Sequence, residues 1–197
     1  ENGMMVSFIQ SNYMGFGSGC VEPGFGISLQ NRGHGFGLPA SPLNPANRVA
    51  PGKRPFHTII PSFLTRPVTG ADGAPLCDAA GQPLAEPVMS FGVMGANMQP
   101  QGHVQTLVRL LDHGQGLQAA CDAPRWRFNT GLSLSVEAAM PAATVQGLRD
   151  LGHQADINPD PYQDFGAGQF IWRLGDPASD GYVAASDPRR DGLAAGW

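Results

Sequence analysis

The sequence is short of charge. Only 14% of its 197 residues are Asp, Glu, Lys or Arg, against about 25% in ordinary soluble chains. That scarcity excludes a charged disordered segment, a coiled coil and a long solvated helix. The small acidic excess, a net charge of -4, speaks against nucleic acid as the main partner. No apolar run approaches the ~18 residues that would span a bilayer. Three cysteines, Cys20, Cys77 and Cys121, form no CxxC pair. Neither a zinc knuckle nor a disulfide framework is indicated, and buried or free thiols are expected. His34, His57, His103, His113 and His153 never fall at HxxxH or HExxH spacing, so no metal site and no cofactor is read. A GxSxG nucleophile elbow is missing, as is the Lys-Ser/Thr pair of a phosphate-binding loop. By composition alone the chain offers no nucleophile.

Glycine (27) and proline (18) are plentiful, and apolar residues make up 42%, enough for a core. A body with so little charge is expected to have part of its surface covered by another subunit. The segment from Met4 to Ser11 (MMVSFIQS) reads as a strand. The run Gly15-Phe16-Gly17-Ser18-Gly19 reads as a tight turn, and a short strand is expected over Gly26 to Gln30. Asn31 to Lys53 shows neither helical nor strand periodicity and reads as a long surface loop, a kind that is usually functional. Phe56 to Leu64 and Val88 to Gly95 look like neighbouring strands, joined by an overgrown hairpin connection over Thr65 to Pro87.

Val104, Leu107, Val108 and Leu111 form the stripe of an amphipathic helix that stops at Gly114. Further helices are expected over Leu117 to Asp122 and Thr144 to Leu151, and strands over Ser133 to Val136, Gln169 to Leu174 and Gly181 to Ala185. The order suggests an α+β fold with helices layered on an antiparallel sheet. Gly92-Val93-Met94-Gly95-Ala96 ends an apolar strand just before a helix. Amides freed at such a turn can bind a developing oxyanion, though an ordinary glycine turn has the same sequence. Asp122, Arg125, Asp187 and Arg190 read as structural ion pairs.

Six segments in order resemble the small subunit of the gamma-glutamyltranspeptidase family, whose members are N-terminal-nucleophile hydrolases. They are Phe16 to Gly19, Gly26 to Asn31 (GISLQN), Pro51 to Pro55 (PGKRP) with Pro61, Gly92 to Ala96, Asp122 to Arg125 (DAPR) and Asp187 to Gly192 (DPRRDG). The resemblance runs over nearly the whole chain. It implies one small-subunit domain over residues 1–197, lacking its N-terminal segment, and half of a four-layer αββα sandwich. A large subunit from the same precursor would be the partner. The reaction implied is amide-cleaving acyl transfer, as in gamma-glutamyltransferases and glutathione hydrolases, through a threonine about ten residues upstream of Glu1. Neither metal nor organic cofactor would take part.

By the same resemblance, Gly95 and Ala96 match the oxyanion-hole glycines, since alanine still donates its N–H. Asn12, or Ser11, matches a polar residue near the nucleophile, while His57 and Thr58 stand where paired serines hold a substrate carboxylate. At Gly35 the γ-glutamyl-specific members carry a carboxylate that pairs with the substrate ammonium. Glycine cannot do that. Arg32 instead brings a cation suited to a substrate carboxylate, a pattern similar to the glutaryl- and cephalosporin-acylase branch. Three readings stay open: γ-glutamyl hydrolysis or transfer, acylase activity on dicarboxylic or other acyl amides, and a catalytically silent assembly module. Bacterial periplasm and cytoplasm are both open as compartments.

Overall fold

The computed structural model describes residues 3–38 and 45–196, so the 39–44 part of the long loop lies outside the described residues. The chain divides into a unit formed by residues 8–59 and another formed by residues 1–7 with 60–197.

The smaller unit carries little regular structure. Strands β1 (Val21–Glu22) and β2 (Ile27–Ser28) pair antiparallel, and a 3-10 turn covers Arg32–Gly35. The expected strand at Gly26 to Gln30 is therefore present in shortened form. The glycine run before it is a tight turn: the Gly17 N–H donates to the Met14 carbonyl, and Ser18 N–H to Leu29. A side chain at Gly17 would strike the Leu29 carbonyl, which is why the backbone can approach so closely there. Asn47 supports the long loop, donating to the Gly35 carbonyl at 2.6 Å and accepting from the Phe56 N–H at 3.1 Å.

In the larger unit, β3 (Ser62–Pro67), β4 (Ala85–Met94), β8 (Ala167–Arg173) and β9 (Tyr182–Ser186) form an antiparallel sheet in the order β3-β4-β8-β9. The ribbon between β3 and β4 continues through bridges at Thr69–Pro75 and Cys77–Pro83, as the overgrown hairpin led one to expect. Helices α1 (Met98–Leu111) and α2 (Leu117–Asp122) cover one face. Alternate residues Met89, Phe91 and Val93 of β4 meet Phe170, Ala185, Leu117 and Cys121 there, the period-two burial of a sheet with one covered face. Burial pushes the Cys121 thiol up to about 12, with the Asp187 charge adding to the effect.

A second sheet follows: β5 (Trp126–Thr130) antiparallel to β6 (Ser133–Glu137), and β6 parallel to β7 (Gln154–Asn158). Helix α3 (Ala142–Asp150) makes the crossover and buries Val145 against Val136 and Ala155. The purely antiparallel expectation is thus corrected, because β6-α3-β7 is a parallel crossover unit. A short helix α4 (Pro161–Asp164) is capped by the Asp160 carboxylate, which accepts from the Tyr162 N–H.

Two further expectations change. Residues 3–10 alternate half-buried and exposed as a strand would, yet no ladder forms there among the described residues. Serine side chains meet that backbone instead: Ser90 Oγ donates to the Val6 carbonyl at 2.8 Å, and Ser7 Oγ to the Phe91 carbonyl at 3.2 Å. The apolar stripe of α1 is also only partly its buried face, with Leu107 packed against the core. Val104, Val108 and Leu111 are exposed, whereas Met98, Gly102, His103, Gln105 and Thr106 are buried. Hydrogen bonding explains the rotation, since the Gln105 amide pairs with the Trp126 backbone in both directions, at 2.8 and 3.1 Å. A side chain at Gly102 would lie 2.6 Å from Val93 Cγ1, so the helix sits directly on β4.

The ends of these elements are tied by a buried ionic cluster. Arg125 Nη2 donates to Asp187 Oδ2 at 2.7 Å, and Arg189 Nη1 to Asp187 Oδ1 at 3.0 Å. Arg189 also forks onto Glu137, with Nε on Oε1 at 2.5 Å and Nη2 on Oε2 at 2.6 Å. The sequence-based ion pairs are therefore half right. Arg125 and Asp187 pair, but Asp122 accepts from Gln118, and Arg190 lies 3.7 Å over the Tyr162 ring. Arg189 and Glu137 take the remaining places. Burial alone would raise the Asp187 carboxyl; Arg125, the backbone N–H groups of Arg189 and Gly168, and the Arg189 charge outweigh it and hold the group below its ordinary 3.8. Breaking such a pair leaves an uncompensated buried charge. Asp187→Asn is expected to cost about 3–5 kcal/mol at neutral pH in denaturant unfolding. Because the native carboxyl is depressed, its contribution is complete above pH 3.8 and disappears as pH falls through the native value, so the gap to wild type closes at acid pH.

Candidate active site

Strand β4 runs into α1 through Gly95 and Ala96, and both have positive φ, +128° and +52°. Such a conformation is uncommon for alanine, and it follows from crowding at the turn. Opposite lies Gly166, one residue beyond the last β4–β8 pair, Met94↔Ala167. A side chain on Gly95 would stand 2.8 Å from Gly166 Cα, and one on Gly166 would run into the Met94 carbonyl. The two backbones touch with no room for either Cβ. Carbonyls of Gly95 and Ala96 accept from the Met98 and Gln99 N–H groups, which starts the helix. The N–H groups of Gly95 and Ala96 themselves make no hydrogen bond among the described residues. Two adjacent donors without an acceptor are the raw material of an oxyanion hole.

His103 anchors the strand just before this turn. Its Nε2 accepts from the Val93 N–H at 2.9 Å, and Nδ1 faces Ser62 Oγ at 3.4 Å. An accepting Nε2 places the ring proton on Nδ1. Burial lowers the pKa of the ring below its usual 6.5, in keeping with a neutral imidazole. The sequence assigned His103 no role, and its bond to Val93, ten residues earlier, is invisible without the packing.

In the smaller unit, Arg32 is half-buried and its orientation is fixed. Nε donates to Thr58 Oγ1 at 2.6 Å, while Nη2 donates to Ser11 Oγ at 2.8 Å and to the Ser11 carbonyl at 3.1 Å. Nη1 makes no hydrogen bond among the described residues. The structure thus brings together Arg32 and Thr58 from the expected set, and adds Ser11, which the sequence offered only as an alternative to Asn12. Asn12 accepts the Asn31 N–H through its backbone carbonyl at 3.1 Å. His57 is exposed, and no hydrogen bond joins it to Arg32. Gly35 presents no carboxylate, and a Cβ there would lie 4.0 Å from the Tyr13 hydroxyl. Among the described residues no group of three or more His, Cys, Asp or Glu is placed to hold a metal ion.

The neutral state of His103 has a measurable consequence. Because its native pKa is depressed, its contribution to stability is complete above pH 6.5 and is lost as pH falls below that value. The urea midpoint is expected to decline on acidification from pH 6.5, and His103→Gln, which retains an acceptor for Val93 without a titrating ring, removes that part of the decline.

The family described as Gamma-glutamyltranspeptidase matches residues 1–197. The oxamate amidohydrolase proenzyme of Klebsiella pneumoniae is 36% identical over 202 residues, covering 100% of this chain and 34% of the relative. The glutathione hydrolase-like YwrD proenzyme of Bacillus subtilis is 31% identical over 206 residues, covering 99% and 34%. The chain spans about a third of the length of these curated relatives. Among solved structures, the cephalosporin acylase from Bacillus halodurans superposes with a TM-score of 0.76 at 46% identity, covering 96% of this chain and 31% of that one. Gamma-glutamyltranspeptidase from Pseudomonas nitroreducens gives 0.75 at 23% identity, covering 99% and 94%; at that identity the likeness speaks for the fold alone. With the family matched from end to end and the fold shared with its solved members, the chain belongs to the gamma-glutamyltranspeptidase family.

Proposed function

We propose that the protein containing this chain cleaves amide bonds by acyl transfer, with the amides of Gly95 and Ala96 stabilising the oxyanion. The observation that supports this reading is the pair of N–H groups at the β4–α1 turn that meet no acceptor among the described residues. A threonine upstream of Glu1 supplies the nucleophile, exposed as an N-terminus when the precursor cuts itself. Its hydroxyl attacks the substrate carbonyl while its own α-amino group takes the proton. The carbonyl oxygen gains negative charge and is met by the two amides. The C–N bond then breaks, the amine leaves with the proton, and an acyl-enzyme remains. Water hydrolyses it, or an amino acid takes the acyl group.

Arg32 favours the acylase reading over γ-glutamyl specificity. Its guanidinium is pinned on one side by Thr58 and Ser11, and among the described residues no hydrogen bond occupies Nη1. A fork of this kind fits a carboxylate on the acyl group, and an α-ammonium would meet a cation where it needs an anion. Asn12, His57 and Thr58 complete the set that orients the acyl group. The names oxamate amidohydrolase and cephalosporin acylase, carried by two relatives, lend support. The partner is a large subunit from the same precursor, in keeping with the relatives' designation as proenzymes. Exposed apolar side chains suit such cover: Val104, Val108 and Leu111 on α1, and Phe63 and Ile171 on the sheet face turned away from the helices. A second sheet on that face completes an αββα sandwich.

The test uses the full-length protein with glutaryl- and γ-glutamyl-p-nitroanilide. The glutaryl substrate is expected to have the higher kcat/KM, and Arg32→Gln to lower that value by about tenfold to a hundredfold through KM, the worth of a charge-assisted hydrogen bond. Preference for the γ-glutamyl substrate, unaltered by Arg32→Gln, contradicts the assignment. Replacing Ala96 by lactate removes one N–H, and kcat is expected to fall on the order of a hundredfold. A precursor that never cleaves into two chains favours the silent assembly module.

A further inference from the structure

The buried ionic cluster reaches the candidate oxyanion turn through a single loop. Arg125 is 1% exposed, and its guanidinium holds three carbonyl or carboxylate oxygens at once. Nη2 binds Asp187 Oδ2 at 2.7 Å and the Cys121 carbonyl at 3.3 Å, and Nη1 binds the Phe165 carbonyl at 3.0 Å. Asp187 Oδ2 also accepts the Gly168 N–H at 2.8 Å. The short segment 165–168, which leads into β8, is therefore clamped by the cluster at both ends. Between those two points lies Gly166, with φ of +66°, packed backbone to backbone against Gly95. The Phe165 ring beside it is wholly buried, so the loop has no freedom to retreat.

Resting on the assignment of Gly95 and Ala96 as oxyanion donors, we infer that Arg125 is a positioning residue for the reaction, acting through the Phe165–Gly166 backbone to fix the direction of those two amides. Arg125 touches no reacting atom. Its guanidinium sets the Phe165 carbonyl, that carbonyl sets Gly166, and Gly166 leaves Gly95 one conformation. Arg189 and Glu137 hold Asp187 and Arg125 in register, with the Arg125 N–H on Glu137 Oε2 at 2.6 Å. Substrate binding through other residues should be indifferent to this chain of contacts. Stabilisation of the tetrahedral state should not be, because its donors must point at the oxygen rather than merely lie nearby.

Gly166→Ala and Arg125→Lys in the full-length protein test the inference; lysine retains the charge beside Asp187 but cannot also reach Phe165. Both variants are expected to keep KM within about twofold and to lose about tenfold to a hundredfold in kcat, as misplaced catalytic groups do. Affinity for phenylboronic acid, whose adduct with a hydroxyl nucleophile is tetrahedral, should fall by a similar factor, and affinity for the carboxylate product should not. Folded variants with unchanged kcat and boronate affinity overturn the inference, as do variants whose KM and product affinity change along with kcat. One measurement needs no variant: boronate binding to the unmodified enzyme should slow amide hydrogen exchange over residues 164–168 as well as 95–97. Protection confined to 95–97 overturns the coupling. If the Ala96 lactate protein loses turnover while Gly166→Ala keeps it, the proposed function stands and the positioning role falls. If neither loses turnover, both fall.

Discussion

Four charged side chains removed from water impose the strictest constraint in this chain. Arg125, Glu137, Asp187 and Arg189 come from the start of β5, the end of β6 and the segment after β9, and each is buried. Desolvating such groups costs several kcal/mol apiece, and only close geometry with complete hydrogen bonding offsets it. None of the four leaves a buried side-chain nitrogen or oxygen without a partner. Arg125 and Arg189 also take up the Cys121 carbonyl and, through Arg189, the Ala123 carbonyl at the end of α2. Both sheets, helix α2 and the 165–168 segment are thereby tied to one place. The arrangement tolerates little displacement, and the turn at Gly95 lies at its edge.

Much of the fold was legible in the sequence. Helix α2 falls on the expected residues. Strands β6, β8 and β9 start or end within two residues of expectation, because bulky apolar runs bounded by glycine and proline leave few alternatives. What failed did so for identifiable reasons. The face of α1 was misjudged because Gln105 and His103 satisfy their polarity by hydrogen bonds to distant backbone, so burial does not follow hydrophobicity. Strand β7 carries the mixed pattern Gln-Ala-Asp-Ile-Asn, whose pairing with β6 depends on the α3 crossover rather than on its own alternation. In Asp-Pro-Arg-Arg, nothing local tells which arginine turns inward; the Tyr162 ring and Glu137 decide it.

The candidate site was legible to the extent that the chemistry proposed for it resides in the backbone. Glycine spacing at a strand-to-helix junction marks a turn with freed amides, and among the described residues those two N–H groups meet no acceptor. The supporting Gly166 carried one weak signal, the Gly-Ala-Gly run opening β8. For Arg32, sequence could supply the charge but not the clamp of Thr58 and Ser11 that gives the charge a direction. A guanidinium so held is pre-organised for a planar anion.

The amides of Gly95 and Ala96 are the donors proposed to meet the reacting oxygen. A crystal structure of the full-length protein carrying a boronate adduct on its nucleophile tests this most directly. One boronate oxygen is expected within about 2.7–3.1 Å of both backbone nitrogens. An adduct whose oxygens are held by other groups, with Gly95 and Ala96 turned away, would contradict it.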